Sequence, residues 1–124
     1  MAYQRISKYI PGCDGTRLAT DIYLPDTGEK VPVLIKAGYA PRRSIFEQEK
    51  QAIERFLEAG YAVAIVEVRG SGASFGGSDG FFGPRDGKDM AAIIENLTGE
   101  CWCSGKAGTY GGSNYGRIQE ITMI

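Results

Sequence analysis

The chain has 124 residues, 43% of them hydrophobic and 23% charged, a balance that suits one soluble globular domain and excludes disordered or fibrous classes. Fourteen basic residues face fifteen acidic ones, so there is no electrostatic case for nucleic acid or an anionic membrane surface as partner. The N-terminus (MAYQRISKYIPG) has no signal-peptide core, and no apolar run approaches the roughly 20 residues of a membrane span. Cys13, Cys101 and Cys103 are odd in number and too sparse for a disulfide scaffold, so reduced thiols and a cytoplasmic location are expected. Histidine is absent altogether.

In chain order, the first expected elements form a hairpin. A strand around 3–9 leads through the turn Asp14-Gly15 into Thr16 to Leu24, where Leu18, Ile22 and Leu24 share one face of a half-buried strand. Val31 to Ala37 (VPVLIKA) is a short apolar run that fits a strand covered on both faces. Ser44 and Glu47 make a capping-box pair opening a helix whose Phe46, Ile53, Phe56 and Leu57 share a face, with Gly60 at its end. Tyr61 to Val68 (YAVAIVEV) is the clearest buried strand. From Arg69 to Gly87 a glycine-rich stretch shows neither period. Asp86 or Asp89 can cap the next helix, with Met90, Ile93, Ile94 and Leu97 at i, i+3, i+4 and i+7, and Gly99 ends it. Lys106 to Tyr110 reads as a further strand, and a helix begins at Tyr115. Strands alternating with helices predict an α/β fold: a mainly parallel sheet with helices on both faces and an antiparallel hairpin at one edge.

Residues 108–116 (GTYGGSNYG) run from strand through a glycine turn into a helix, with Ser113 at the turn. A nucleophile elbow needs small residues around the serine so that the backbone folds sharply and exposes the hydroxyl at a strand's carboxyl end. The amide after the serine then lies at a helix N-terminus, where it can donate to an oxyanion. The strict G-x-S-x-G pattern fails, since Tyr115 holds the last glycine's place, and an ordinary turn with a capping serine also fits. Gly70 to Gly76 follows a strand, but its third glycine is one place late for a dinucleotide loop and the sequence beyond it cannot be helical. No cofactor is expected. Cys101 and Cys103, with one distant cysteine and no histidine, do not make a four-ligand zinc site. Tyr39, between Gly38 and Pro41 after a buried strand, stands where α/β sheets place ligand contacts; it can donate to an oxyanion or simply pack on the core.

The landmarks DGTRLATDIYLP, AGYAP, GYAVAIVEVRGSGASFGG, RDGKD and CWCSGKAGTYGGSNYG, in this order, resemble the cocaine esterase and X-prolyl dipeptidyl-peptidase family. The resemblance implies an α/β-hydrolase fold, with residues 1–124 the N-terminal part of its catalytic domain, truncated after the nucleophile elbow. In that family the nucleophile lies in G-x-S-Y-x-G, which places Ser113 as nucleophile and accommodates Gly116. It also implies the Asn114 amide and the Tyr39 hydroxyl as oxyanion donors. Asn114 replaces the family's usual tyrosine, and Glu67 its usual aspartate. The implied chemistry is acyl transfer on an ester, an acyl amide or a short X-prolyl peptide, with the acid and histidine beyond residue 124. The strand at Lys106 to Tyr110 is central in such enzymes, so self-association through an exposed strand edge is a further expectation. A chain without histidine is expected to be inactive alone. Two other readings remain open: one half of a split enzyme completed by a partner chain, and a non-catalytic binding module.

Overall fold

The computed structural model describes residues 3–38, 41–68 and 84–110, with 84–87 described through the backbone only. Five strands and two helices follow in the order β1 (Tyr3–Pro11), β2 (Arg17–Pro25), β3 (Val31–Gly38), α1 (Arg42–Glu58), β4 (Ala62–Glu67), α2 (Pro84–Thr98) and β5 (Cys103–Thr109). They form one mixed sheet of order β1-β2-β4-β3-β5. β2 pairs antiparallel with both β1 and β4, while β3 pairs parallel with β4 and β5. The antiparallel part is therefore the hairpin and its seam with the parallel core.

The β1–β2 turn closes where Asp14-Gly15 was expected to close it. Gly15 has φ +83°, its amide donates to Gly12 O, and the Thr16 amide donates to the Asp14 carboxylate. A second support comes from far along the chain: the Cys13 amide donates to Asp89 Oδ1 at 3.0 Å. Gly12 is required at this approach, because a Cβ there would lie 2.5 Å from the same carboxylate oxygen.

Strand pleating sends alternate residues to opposite faces, and each face carries one helix. On one face Leu18, Ile22, Val33, Ile35, Ala62, Ala64 and Val66 pack against Met90, Ile93 and Leu97 of α2. On the other, Tyr23, Val63 and Ile65 pack against Ile45, Ile53 and Leu57 of α1. β4 is buried at every residue, as its unbroken apolar sequence suggests. β2 was expected to be half-buried; instead Ala19, Asp21 and Tyr23 are buried as well, because α1 covers its second face.

Helix termini show what local sequence can and cannot specify. α1 ends as Gly60 suggests: with φ +91°, its amide donates to Leu57 O and the Tyr61 amide to Phe56 O, the two bonds of a Schellman motif. Its start differs from expectation. The helix begins at Arg42 after Pro41, with no side-chain cap bond from Pro41, and Ser44 and Glu47 lie inside it. The Arg42 amide is instead satisfied by Glu67 Oε1 of β4, so a tertiary carboxylate does the work assigned to the capping box. In α2, Asp86 and Asp89 likewise lie inside the helix, which starts earlier, at Pro84, where the missing N–H costs nothing. The glycine-rich stretch thus gives way to helix before Gly87. β5 begins at Cys103 rather than Lys106.

Tyr23 stacks on Phe46, ring centroids 4.6 Å apart, and meets Tyr3 edge-on. Burial, reinforced by the Asp21 carboxylate, pushes its phenol from 10.0 up to about 12. The neutral phenol is thus favoured in the folded state. Its contribution to stability is complete below pH 10 and is lost as pH rises through about 12. Tyr23→Phe, which cannot ionise, is expected to lose less stability than wild type between pH 8 and pH 11.5, read as urea midpoints. An equal loss in both would show that Tyr23 ionises no harder in the folded chain than in the unfolded one.

Candidate active site

The parallel half of the sheet gives the chain a carboxyl end at which β3 and β4 finish side by side, while β5 ends three residues earlier along β3. Gly38 stands opposite Glu67, and Ile35 opposite Thr109. The Val68 amide donates to Gly38 O at 3.0 Å, and the Tyr110 amide to Ile35 O at 3.2 Å, so the β3–β4 pairing runs to the ends of both strands and the β3–β5 pairing to the end of β5. Tyr39 is the next residue after Gly38, and Ser113 and Asn114 follow Tyr110 by three and four positions. All three lie outside the described residues, as does the Gly70 to Gly76 cluster. Within the described residues, the segments that carry them leave the carboxyl ends of neighbouring parallel strands.

This end of the sheet is unusually rich in buried charge. Asp21 and Glu67 are only 5% and 3% exposed, and Arg42 lies between them. Its Nη1 donates to Glu67 Oε2 at 3.1 Å, and its Nε lies 3.1 Å from Asp21 Oδ1 without hydrogen-bond alignment, an ion contact. The Ser7 hydroxyl donates to the same Asp21 oxygen at 2.7 Å. Beneath α1, buried Lys36 of β3 pairs with Glu49, where the helix departs locally from helical geometry. The Lys36 ammonium also lies 5.5 Å from the centre of the Tyr110 ring. Burial, with the Glu49 carboxylate nearby, raises the Tyr110 phenol above its ordinary range. Its hydroxyl has no hydrogen-bond partner among the described residues.

None of Asp21, Lys36, Arg42 or Glu49 stands out in the sequence as a site residue. The signal was present: Asp21, Lys36 and Glu67 are charges inside strands that otherwise read as apolar, and a buried charge needs a partner. The partners come from α1, which sequence spacing does not connect to those strands.

The described residues also hold one set of clustered metal-type donors, with ligand atoms of Cys13, Asp14 and Asp89 within 4.8 Å of one another. Asp89 already accepts from the Cys13 amide, which accounts for its position as a brace of the hairpin turn. The three cysteines are free thiols. Among the described residues no helix is long and apolar enough to cross a membrane.

The pattern of the X-Pro dipeptidyl-peptidase (S15 family) matches residues 14–123, almost the whole chain. The chain belongs to this family. The cocaine esterase of Rhodococcus sp. is 34% identical over 114 residues, covering 89% of this chain and 19% of that protein. Among solved structures, an α-amino acid ester hydrolase superposes with a TM-score of 0.86 at 23% identity, covering 98% of this chain and 23% of the other. An aminopeptidase from a marine sediment Thaumarchaeota archaeon gives 0.82 at 24% identity, with the same coverage. These likenesses show the α/β-hydrolase fold expected from the sequence. The S15 chain spans about a fifth of the length of these relatives. Relatives named as esterases and peptidases make the family one of hydrolases.

Proposed function

We propose that this S15-family chain carries the nucleophile and oxyanion-binding part of a serine hydrolase acting on ester or amide bonds. What supports this most is the order of the strands that the two motifs follow. β3 and β5 are neighbouring parallel strands, and in sequence Tyr39 directly follows β3 while Ser113 comes four residues after β5. In such a site Ser113 Oγ attacks the carbonyl carbon, and the carbonyl electron pair moves onto oxygen. The Asn114 amide and the Tyr39 hydroxyl donate to that oxyanion, stabilising charge that exists only in the transition state and intermediate. Collapse expels the alcohol or amine and leaves an acyl-serine, which water hydrolyses by the same steps. The substrate is a small ester, an acyl amide or a short peptide, and the three free thiols suit a reducing, cytoplasmic setting.

Proton transfer sets the limit. The serine proton must leave as the carbon–oxygen bond forms, and no histidine exists in the sequence to accept it. On this reading the acceptor is supplied from outside these 124 residues. In subtilisin, loss of the histidine alone costs about 10⁶ in turnover, so these residues by themselves fall to residual catalysis.

A fluorophosphonate probe tests both parts. Labelling that requires Ser113, lost in Ser113→Ala, is expected in lysate of the source and to be faint on the purified chain. Strong labelling of the purified chain would show that it holds its own base. Labelling that persists in Ser113→Ala in both settings, or is absent from both, removes Ser113 as nucleophile and leaves a binding module.

A further inference from the structure

α1 packs on β4 and β2, and between it and β1, an edge strand among those described, a groove of about 390 Å³ stays open. Pleating turns Tyr3 and Arg5 of β1 toward this groove, paired in register with Pro25 and Tyr23 of β2. On α1, Arg43, Phe46 and Lys50 follow at i, i+3 and i+7, which puts them on one face over about 10 Å of helix axis. The rings line it between the charges, with Tyr23 stacked on Phe46 and edge-on to Tyr3. A smaller groove of about 240 Å³ shares Arg5 and Arg43 and adjoins the Asp21–Arg42–Glu67 set.

The charge in this groove is one-sided. Arg5, Arg43 and Lys50 are exposed and make no ion pair among the described residues. Glu47 is the one acid lining the groove, and it makes none there either. The carboxylates of Asp21 and Glu67 nearby already face Arg42. Three cations thus stand against a single anion. Arg43 is moreover at the wrong end of its helix. The first turn of α1 holds no acidic residue, and a cation beside its free amides is disfavoured by about 0.3–1 kcal/mol. Arg42 is compensated by two carboxylates, whereas Arg43 has no such counterion among the described residues. A local rule broken without a structural gain points to a site.

We propose that this groove binds an acidic peptide segment, one with two carboxylates flanking an apolar side chain. The guanidinium forks of Arg5 and Arg43 suit one carboxylate, and Lys50 meets the second as a point charge. The two ends lie about 10 Å apart along α1, the reach of three extended residues and more than one compact anion spans. The rings between them accept the apolar side chain. The groove lies on the β1 side of α1, away from β3 and β5, and is independent of the hydrolase reading.

The test is a ¹H–¹⁵N correlation titration of the full chain with the peptide acetyl-Glu-Phe-Leu-Glu-amide. Saturable shifts are expected at the amides of Arg5, Tyr23, Arg43, Phe46 and Lys50. Arg43→Gln and Lys50→Gln, both at exposed positions, should each weaken binding about fivefold, and replacing the peptide's glutamates by glutamine about tenfold. Lys106→Gln removes an equal charge from β5 at the opposite edge and should change binding less than about twofold. Unchanged amide positions away from the groove check that each variant is folded. An equal loss in Lys106→Gln would mean that net charge alone attracts the peptide, and would overturn the site. Saturable shifts that map elsewhere, or none at millimolar peptide, would do the same. Pimelate binding as tightly as the peptide would assign the groove to small dicarboxylates and overturn the peptide reading. None of these outcomes bears on Ser113 labelling, which tests the hydrolase reading separately.

Discussion

Ile65→Ala should cost this chain about 3–4 kcal/mol of stability. Ile65 lies in β4, which is flanked on both sides by paired strands, and its side chain is completely buried against α1 with Ile53, Leu57, Val63 and Tyr23. Replacing a large buried aliphatic by alanine costs roughly 2–5 kcal/mol, the transfer free energy plus a term for the residual cavity. The upper half of that range applies where the surroundings cannot collapse. Here the backbone is held by β2 on one side and β3 on the other, with Asp21 and Lys36 as the residues opposite Ile65. At a urea m-value of about 2 kcal/mol/M, a loss of 3–4 kcal/mol lowers the midpoint by roughly 1.5–2 M. For a domain whose total stability is of the order of 5–15 kcal/mol, that is a large share. A shift below about 0.5 M would mean that the face of β4 beneath α1 is loosely packed.

The second large effect is electrostatic. Arg42→Ala removes the cation shared by Asp21 and Glu67 and leaves two carboxylates where water barely reaches. Deleting one partner of a buried ion pair typically costs about 3–5 kcal/mol, mostly the penalty of the charge left behind. Arg42 itself is 23% exposed, so water enters part of the space it vacates, and the lower end, about 3 kcal/mol, is expected. Lys8→Ala provides the contrast. It breaks the Lys8–Glu100 pair, whose side chains are 37% and 25% exposed, and a pair that open to solvent contributes under about 1 kcal/mol. Urea midpoints of the two variants should therefore differ by more than 1 M. Equal, small shifts would mean that the Asp21–Arg42–Glu67 set is effectively solvated and does not hold the start of α1.

These two effects sit on adjoining parts of the structure. Val63 and Ile65 place their side chains under α1, and Glu67, two residues further on, places its carboxylate at the first residue of that helix. The period of two that builds the core thus also carries a charge to the β3–α1 connection.

β5 lies at an edge of the sheet among the described strands, paired only with β3 and largely exposed. The expectation of self-association through a strand edge rests on that position. Lys106 and two glycines, Gly105 with φ +90° and Gly108, interrupt any long flat apolar edge there.

Much of this protein could be read directly from local chemistry. The Asp14-Gly15 turn, the Schellman end at Gly60, the fully buried β4 and the apolar stripe Met90, Ile93 and Leu97 each depend on neighbours in sequence. Periodicity and φ preference act at that range, so these elements stand where their residues place them. The order of five landmarks sufficed for the family, because spacing along a chain survives substitutions that erase most identities. Helix starts were read less well. Ser44 with Glu47 satisfies the capping pattern, yet the first amide of α1 goes to Glu67, twenty-five residues away in sequence, and α2 begins ahead of both aspartates proposed as its cap. A local cap contributes about 1 kcal/mol, which a charged acceptor brought by the sheet can override. The same reason hid the buried charges. Asp21, Lys36 and Glu67 look like ordinary polar interruptions of strands until α1 covers them and delivers Arg42 and Glu49 as counterions. Among the described residues the sequence by itself determined which segments form strands and helices, and it determined the family; the helix expected from Tyr115 lies outside those residues. Only the tertiary structure decided which charges are buried together, because the cost of burying a charge is set by what packs against it, and packing joins residues that sequence spacing leaves unrelated.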